Sequence, residues 1–135
     1  MAKLERLVFL EPLSRASVAA RLLHPGTVYA GVFDGDRLAA YFGFSIWGAY
    51  AHVLANVTHP DYRRRGLADA LLRMMEPVAR AGGARGFLGE VRPSNAGQQR
   101  ILRTLGWKEV FVIPGFFQNG EDALIVWRSF DEARP

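Results

Sequence analysis

The longest stretch without a formal charge runs from Leu38 to Pro60, 23 residues of a 135-residue chain, and it admits two outcomes. About 20 apolar residues can cross a bilayer as a helix. Here Tyr41, Ser45, His52, Asn56 and Thr58 are spread through the stretch, and Gly48-Ala49 interrupts its middle. Tyr41, Phe42, Phe44, Ile46 and Trp47 favour extended chain. We therefore read two adjacent strands, Arg37 to Trp47 and Ala51 to Thr58, the second ended by Pro60. The run Leu7 to Leu10 is stopped by Glu11 and Pro12, too short for a signal-peptide core. The expectation is a cytoplasmic protein with no membrane partner.

Around this pair the period of the apolar residues changes in an orderly way. Leu7 to Leu10 reads as a short first strand, and residues 12–23 as a helix ended by His24-Pro25-Gly26. Thr27 to Phe33 is a strand that turns back through Asp34-Gly35-Asp36. From Gly66 onward, Leu67, Leu71, Met74, Met75 and Val78 follow helical spacing. Pro77 predicts a kink or an early end of that helix, and Ala81-Gly82-Gly83 its close. Phe87 to Val91 is a short buried strand, and Asn95 to Leu105 a second helix with Gly106 after it. Trp107 to Ile113 and Ala123 to Phe130 are the last strands, and residues 131–135 a tail. The whole chain, 1–135, reads as one domain of α/β (α+β) class. Its order is β-α-β-β-β-α-β-α-β-β, a mixed sheet with helices packed on it.

There is no cysteine, which excludes a disulfide scaffold, a thiol nucleophile and a Cys-ligated zinc. His24, His52 and His59 lack metal-ligand spacing, so no metal is expected. Gly43-Phe44-Ser45-Ile46-Trp47 lacks the last glycine of a serine-hydrolase elbow and lies within a strand. Tyr41, Phe42, Phe44, Trp47 and Tyr50 read mainly as core, with alternate members available to line an acceptor pocket. The net charge is +4, carried by 15 Arg against Lys3 and Lys108. Arginine suits phosphate and carboxylate, so charge alone admits a nucleotide cofactor or a nucleic-acid-binding module.

The segment that decides between them is Asn56-Val57-Thr58-His59-Pro60-Asp61-Tyr62-Arg63-Arg64-Arg65-Gly66-Leu67-Ala68. A strand enters a basic turn that opens a helix. The free N–H groups of a helix start, aided by its dipole, form an anion site. Gly66 lets a ligand approach the backbone, and Ala68 keeps the first turn uncrowded.

Arg63-x-x-Gly66-x-Ala68 resembles the Gln/Arg-x-x-Gly-x-Gly/Ala signature of the GNAT superfamily of N-acetyltransferases. Two further elements follow at the family's distances. Gly89-Glu90-Val91-Arg92-Pro93-Ser94-Asn95 resembles its Leu-Glu-Val-x-x-x-Asn element, and Leu105-Gly106-Trp107 its Leu-Gly-Phe element. Glu121-Asp122-Ala123 looks like the run entering the last strand of the ribosomal-protein N-terminal acetyltransferases. The match is firm over residues 51–128 and loose before. The resemblance implies the GNAT fold, a mixed and mostly antiparallel twisted sheet of about 6–7 strands with helices on both faces.

It also implies an activity: direct transfer of acetyl from acetyl-CoA, a cosubstrate, to a primary amine of a small molecule or a peptide N-terminus. The backbone of Asn56, Val57 and Thr58 would pair with the pantetheine as an added strand. Arg63, Arg64, Arg65, Gly66, Leu67, Ala68 and Asp69 would hold the pyrophosphate, mainly through main-chain N–H groups. Asn95 would cap its helix and touch CoA. Glu90 aligns with the glutamate that takes the amine proton; the structural alternative pairs it with Arg92 or Arg103. The family's tyrosine acid, four residues before the glycine of the Gly-Phe pair, is replaced here by Leu102. Tyr41, Tyr50 and Ser94 are substitutes by residue type alone. Leu102 also keeps open a rival reading, a catalytically weak acyl-CoA-binding or regulatory protein on the same fold. No nucleic-acid partner is expected once the arginines are given to CoA, and a homodimer is left open.

Overall fold

The structure, a computed structural model, describes residues 26–132. The strand expected over Leu7 to Leu10, the helix over residues 12–23 and the end of the tail lie outside the described residues. Within them the chain forms β1 (Thr27–Asp34), β2 (Arg37–Trp47), β3 (Tyr50–Thr58), a 3-10 turn (Pro60–Tyr62), α1 (Leu67–Ala81), β4 (Gly86–Val91), α2 (Ala96–Thr104), β5 (Lys108–Ile113) and β6 (Ala123–Ser129). The uncharged stretch is indeed two paired strands. Among the described residues no helix is long and apolar enough to cross a membrane.

The six strands make one sheet in the order β1-β2-β3-β4-β6-β5. Among the sheet neighbours only β3 and β4 run parallel, and the crossover that joins them passes through α1. The remaining neighbours are antiparallel. Phe42 and Phe44 of β2, Phe87 of β4 and Phe130 lie in one core with Leu71 and Leu72 of α1, Leu102 of α2 and Trp107. Both described helices therefore pack on the same face. Phe87 is the centre of this core, with ring centroids 5.2 Å from Phe42, 5.6 Å from Phe44 and 4.9 Å from Phe130. The opposite face holds a smaller cluster of Tyr41, Ala55 and Val57, with Tyr29 and Leu38 against it.

One irregularity feeds both layers. Gly43 pairs with Ala55 and Phe44 with Val53, so Leu54 is an extra residue in β3. Ahead of it, Ala51 and Val53 join the helix-side core; after it, Ala55 and Val57 join the cluster on the other face. A bulge of one residue switches which side chains point where. Gly43 stands opposite this point under the Tyr29 ring, where any Cβ would run into the ring.

Three expectations change. α1 continues through Pro77 to Ala81. Pro77 lies on the exposed side, where the carbonyl left without its donor can tilt toward water, so the helix survives. The buried stripe of α1 is Leu71, Leu72 and Ala79, with Leu67 and Met75 at its border, while Met74 and Val78 are exposed. Of the strand aromatics, Tyr41, Phe42 and Phe44 are core, but Trp47 and Tyr50 flank the β2–β3 turn and are 64% and 52% exposed.

Candidate active site

β3 and β4 begin as neighbours and then separate. Their pairing covers Tyr50, Ala51 and His52 of β3 against Gly86, Phe87 and Leu88 of β4. Beyond His52, β3 runs on to Thr58 and β4 to Val91 without pairing. Elsewhere the sheet is continuous, since β4 keeps pairing with β6 up to Val91 and β3 with β2 up to Thr58. A cleft thus opens at the carboxyl ends of two parallel strands, the position at which open sheets of this kind take ligands. Asn56, Val57 and Thr58 lie on its β3 wall, with alternate backbone N–H and C=O groups directed across it.

The polypeptide leaving β3 then builds an anion cradle. His59 Nδ1 accepts the N–H of Asp61 at 3.1 Å and starts the 3-10 turn. Arg64 (φ 64°) and Gly66 (φ 73°) are both left-handed, which turns successive N–H groups inward as a nest. No side chain caps Gly66, and the first intrahelical bond of α1 runs from Ala70 N–H to the Gly66 carbonyl. The N–H groups ahead of it face out of the helix start, where the dipole favours an anion. Nothing lies within 4 Å of where a Gly66 Cβ would stand. Asp69, the acid of the first turn, is bound by Arg73 at 2.8 Å. Arg63, Arg64 and Arg65 are exposed.

The cradle is braced from behind. Tyr62 donates its hydroxyl to Asp34 at the end of β1 at 2.5 Å, and the guanidiniums of Arg37 and Arg65 lie over its ring, 5.5 and 5.0 Å from the centroid. Arg37 in turn binds Asp61 at 2.8 Å. The bond to Asp34, then burial and the Asp34 charge, raise the Tyr62 phenol above its ordinary pKa. Tyr62, to which the sequence assigns no role, thus underlies Arg65 of the turn.

At the narrow end of the cleft, Glu90 Oε1 is 2.6 Å from His52 Nε2, both side chains partly exposed. A carboxylate can only accept, so Nε2 carries the hydrogen of this bond. The expected partners of Glu90 are engaged elsewhere: Arg92 with Glu121 and Arg103 with Glu109, each at 3.3 Å. His52 is the functional candidate that the sequence reading missed. Asn95 caps α2 as expected, its Oδ1 accepting the Gln98 N–H at 3.1 Å while its Nδ2 donates to Gln98 Oε1. Leu102 is a core residue, 7% exposed, so no hydroxyl occupies that position. Among the described residues, no group of three or more His, Asp or Glu could hold a metal ion.

The sequence pattern of the Acetyltransferase (GNAT) family matches residues 2–107. A Bacillus subtilis protein named as a ribosomal protein bS18-alanine N-acetyltransferase is 29% identical over 132 residues, spanning 96% of this chain and 87% of its own. The crystal structure of the ribosomal-protein-S18-alanine N-acetyltransferase from Escherichia coli superposes with a TM-score of 0.82 at 24% identity, over 98% of this chain and 86% of that one. A streptothricin acetyltransferase from Bacillus anthracis, solved with acetyl coenzyme A, gives 0.73 at 14% identity, over 83% and 67%.

Proposed function

The chain belongs to the acetyltransferase (GNAT) family, and from that premise we propose that it acetylates the α-amine of a protein N-terminus, with acetyl-CoA as donor. The observation that carries the reading is the cleft between β3 and β4, with the anion cradle at its wide end and the His52–Glu90 pair at its narrow end. The named activity of the Bacillus subtilis relative, which matches 96% of this chain, supports the choice of acceptor. Its setting is the cytoplasm, where acetyl-CoA and newly made N-termini occur together.

In this reading the diphosphate of acetyl-CoA rests on the N–H groups of residues 64–69, and the pantetheine arm completes the open edge of β3 at Asn56, Val57 and Thr58. A backbone N–H at the bulge meets the thioester oxygen, where negative charge develops. The acceptor nitrogen attacks the thioester carbonyl, so a C–N bond forms and the C–S bond breaks. Glu90 takes the amine proton, directly or through water. Oε1 is occupied by His52, which leaves Oε2 for that proton and fixes the carboxylate plane. His52 is a second proton acceptor through Nδ1. The departing thiolate takes its proton from water, since Leu102 offers none.

The test is turnover of acetyl-CoA with a short peptide bearing a free N-terminal alanine, alongside acetyl-CoA binding by calorimetry. Glu90→Gln is expected to lower kcat by about 10²–10⁴ while binding is kept. Full turnover of that variant across the pH range would place the base elsewhere. The buried Leu102 favours one alternative, a weakly catalytic acyl-CoA-binding protein. Tight binding with no product from peptides or small amines would select it.

A further inference from the structure

The glycines inside the described sheet have packing reasons, with one exception. A Cβ on Gly43 or Gly86 would run into the ring of Tyr29 or Trp127, and one on Gly31 would press on Leu38 at 3.1 Å. Gly89 of β4 has no such reason. A Cβ there would stand 3.7 Å from Val126 Cγ2, 3.9 Å from Trp107 Cζ3 and 3.9 Å from Val53 Cβ, ordinary contacts on three sides. Its φ is not left-handed either, so the backbone does not ask for glycine. Such a residue inside a strand costs backbone entropy and gives up packing, and it marks a place where a ligand comes close. Gly89 is buried, and Phe87 and Val91 on the same side of β4 belong to the helix-side core. The Trp107 ring is held by stacking on Phe87, centroids 6.4 Å apart, so this wall is firm. The result is a methyl-sized apolar space at the root of the cleft. His52 and Leu88 are the last paired residues of β3 and β4, and Val53 and Gly89 are the next on each strand. The bulge at Leu54 follows one residue later, about 3.3 Å along β3.

We propose that Gly89 keeps room for the end of the acyl chain, so that the donor range extends one carbon beyond acetyl, to propionyl-CoA. The proposal rests on the acetyltransferase reading above and names the donors that it admits. With the pantetheine along Asn56 to Thr58 and the thioester at the bulge, the acyl group continues down β3 toward Val53, and so toward the space at Gly89. Val53, Val126 and the Trp107 ring line that space, which suits a terminal methyl and rejects an acyl chain ending in a carboxylate. The resumed pairing of His52 with Leu88 closes its floor, so longer chains are excluded. Glu90, the next residue, faces the other side of β4 and meets His52 there, so the acyl end and the proton acceptor do not compete for space. The step balances as for acetyl: the C–N bond forms, the C–S bond breaks, Glu90 takes the amine proton and the thiolate takes one from water.

The experiment compares wild type and Gly89→Ala in the full chain, with acetyl-CoA and propionyl-CoA as donors to the same alanine peptide. In the wild type, kcat/KM with propionyl-CoA is expected to be at least one third of that with acetyl-CoA; a lower ratio overturns the proposal. Gly89→Ala fills the space by one carbon and is expected to lower the propionyl-to-acetyl ratio about tenfold, the scale of one misplaced methylene in an apolar pocket. A ratio that stays the same in the variant, whether both donors are kept or both are lost, overturns it too. Calorimetry with CoA itself, which carries no acyl group, reports whether the variant is folded, and the wild-type ratio decides the question if it is not. Should the wild type bind acyl-CoA but acylate no peptide, the same ratio is read from the two dissociation constants. Wild type that binds neither CoA nor acyl-CoA would overturn the underlying reading, whereas acetyl transfer without propionyl transfer overturns the proposal alone.

Discussion

Gly66 offers a clean separation of backbone strain from ligand occlusion. Its φ of 73° is left-handed, and a residue with a Cβ there costs about 1–2 kcal/mol. The Cβ itself would meet nothing within 4 Å, so no packing loss is added. Gly35, at φ 59° in the β1–β2 turn and equally open, is the matched control. Gly35→Ala and Gly66→Ala are expected to lower Tm alike, by roughly 4–8 °C, taking about 4 °C per kcal/mol for a chain of this size. Added acetyl-CoA separates them. At one hundred times the dissociation constant it stabilises the wild type by about 2.7 kcal/mol, or roughly 10 °C. Gly35→Ala keeps that increment. Gly66→Trp fills the open space over the N–H groups; a hundredfold loss of affinity leaves only about 0.4 kcal/mol, or roughly 2 °C, at the same ligand concentration. The assay is a thermal melt with and without acetyl-CoA. A Gly66→Trp protein with the wild-type increment would refute the assignment of this turn as the pyrophosphate site.

Two further outcomes are expected. Phe87→Ala removes the ring on which Phe42, Phe44 and Phe130 converge and is expected to cost about 3–5 kcal/mol in urea unfolding. Tyr62→Phe breaks the bond to Asp34 and is expected to weaken acetyl-CoA binding while leaving the peptide KM at saturating donor unchanged. Because the folded phenol titrates above the ordinary 10.0, its stabilisation is fully present below pH 10.0 and is lost as pH rises through the raised value. Melts of wild type and Tyr62→Phe against pH should therefore converge only in strong alkali.

The strands and helices among the described residues were readable because period-2 and helical spacing are local properties, and so was the glycine turn at residue 66. The His52–Glu90 pair was not. His52 and Glu90 are 38 residues apart, and only the parallel register that sets His52 against Leu88 puts them on one face at bonding distance. That register follows from the crossover through α1, not from any spacing in the sequence. Position also decided the aromatics. Trp47 and Tyr50 have the same residue preferences as Phe42 and Phe44, but they sit at a turn where no layer among the described residues covers them. The early end expected at Pro77 fails for a related reason: its cost depends on which side of the helix loses a donor, and that side is set by packing.

The extra residue at Leu54 and the parting of β3 from β4 bear on a hazard common to all sheets. An open strand edge is a template for aggregation, and proteins guard such edges with charge, bulges or cover. Here the stretch of β3 that does not pair with β4 lies inside the sheet, with β4 on one flank and a bulge at its root. A second globular copy meets that edge with difficulty, whereas a thin flexible arm slides in. The fold thereby keeps unspent pairing capacity without exposing it to its own kind. In hydrogen-exchange terms, amides among residues 55–58 that face the cleft should turn over quickly in the free protein and slow when acetyl-CoA is present, so the donor acts as the strand that finishes the sheet.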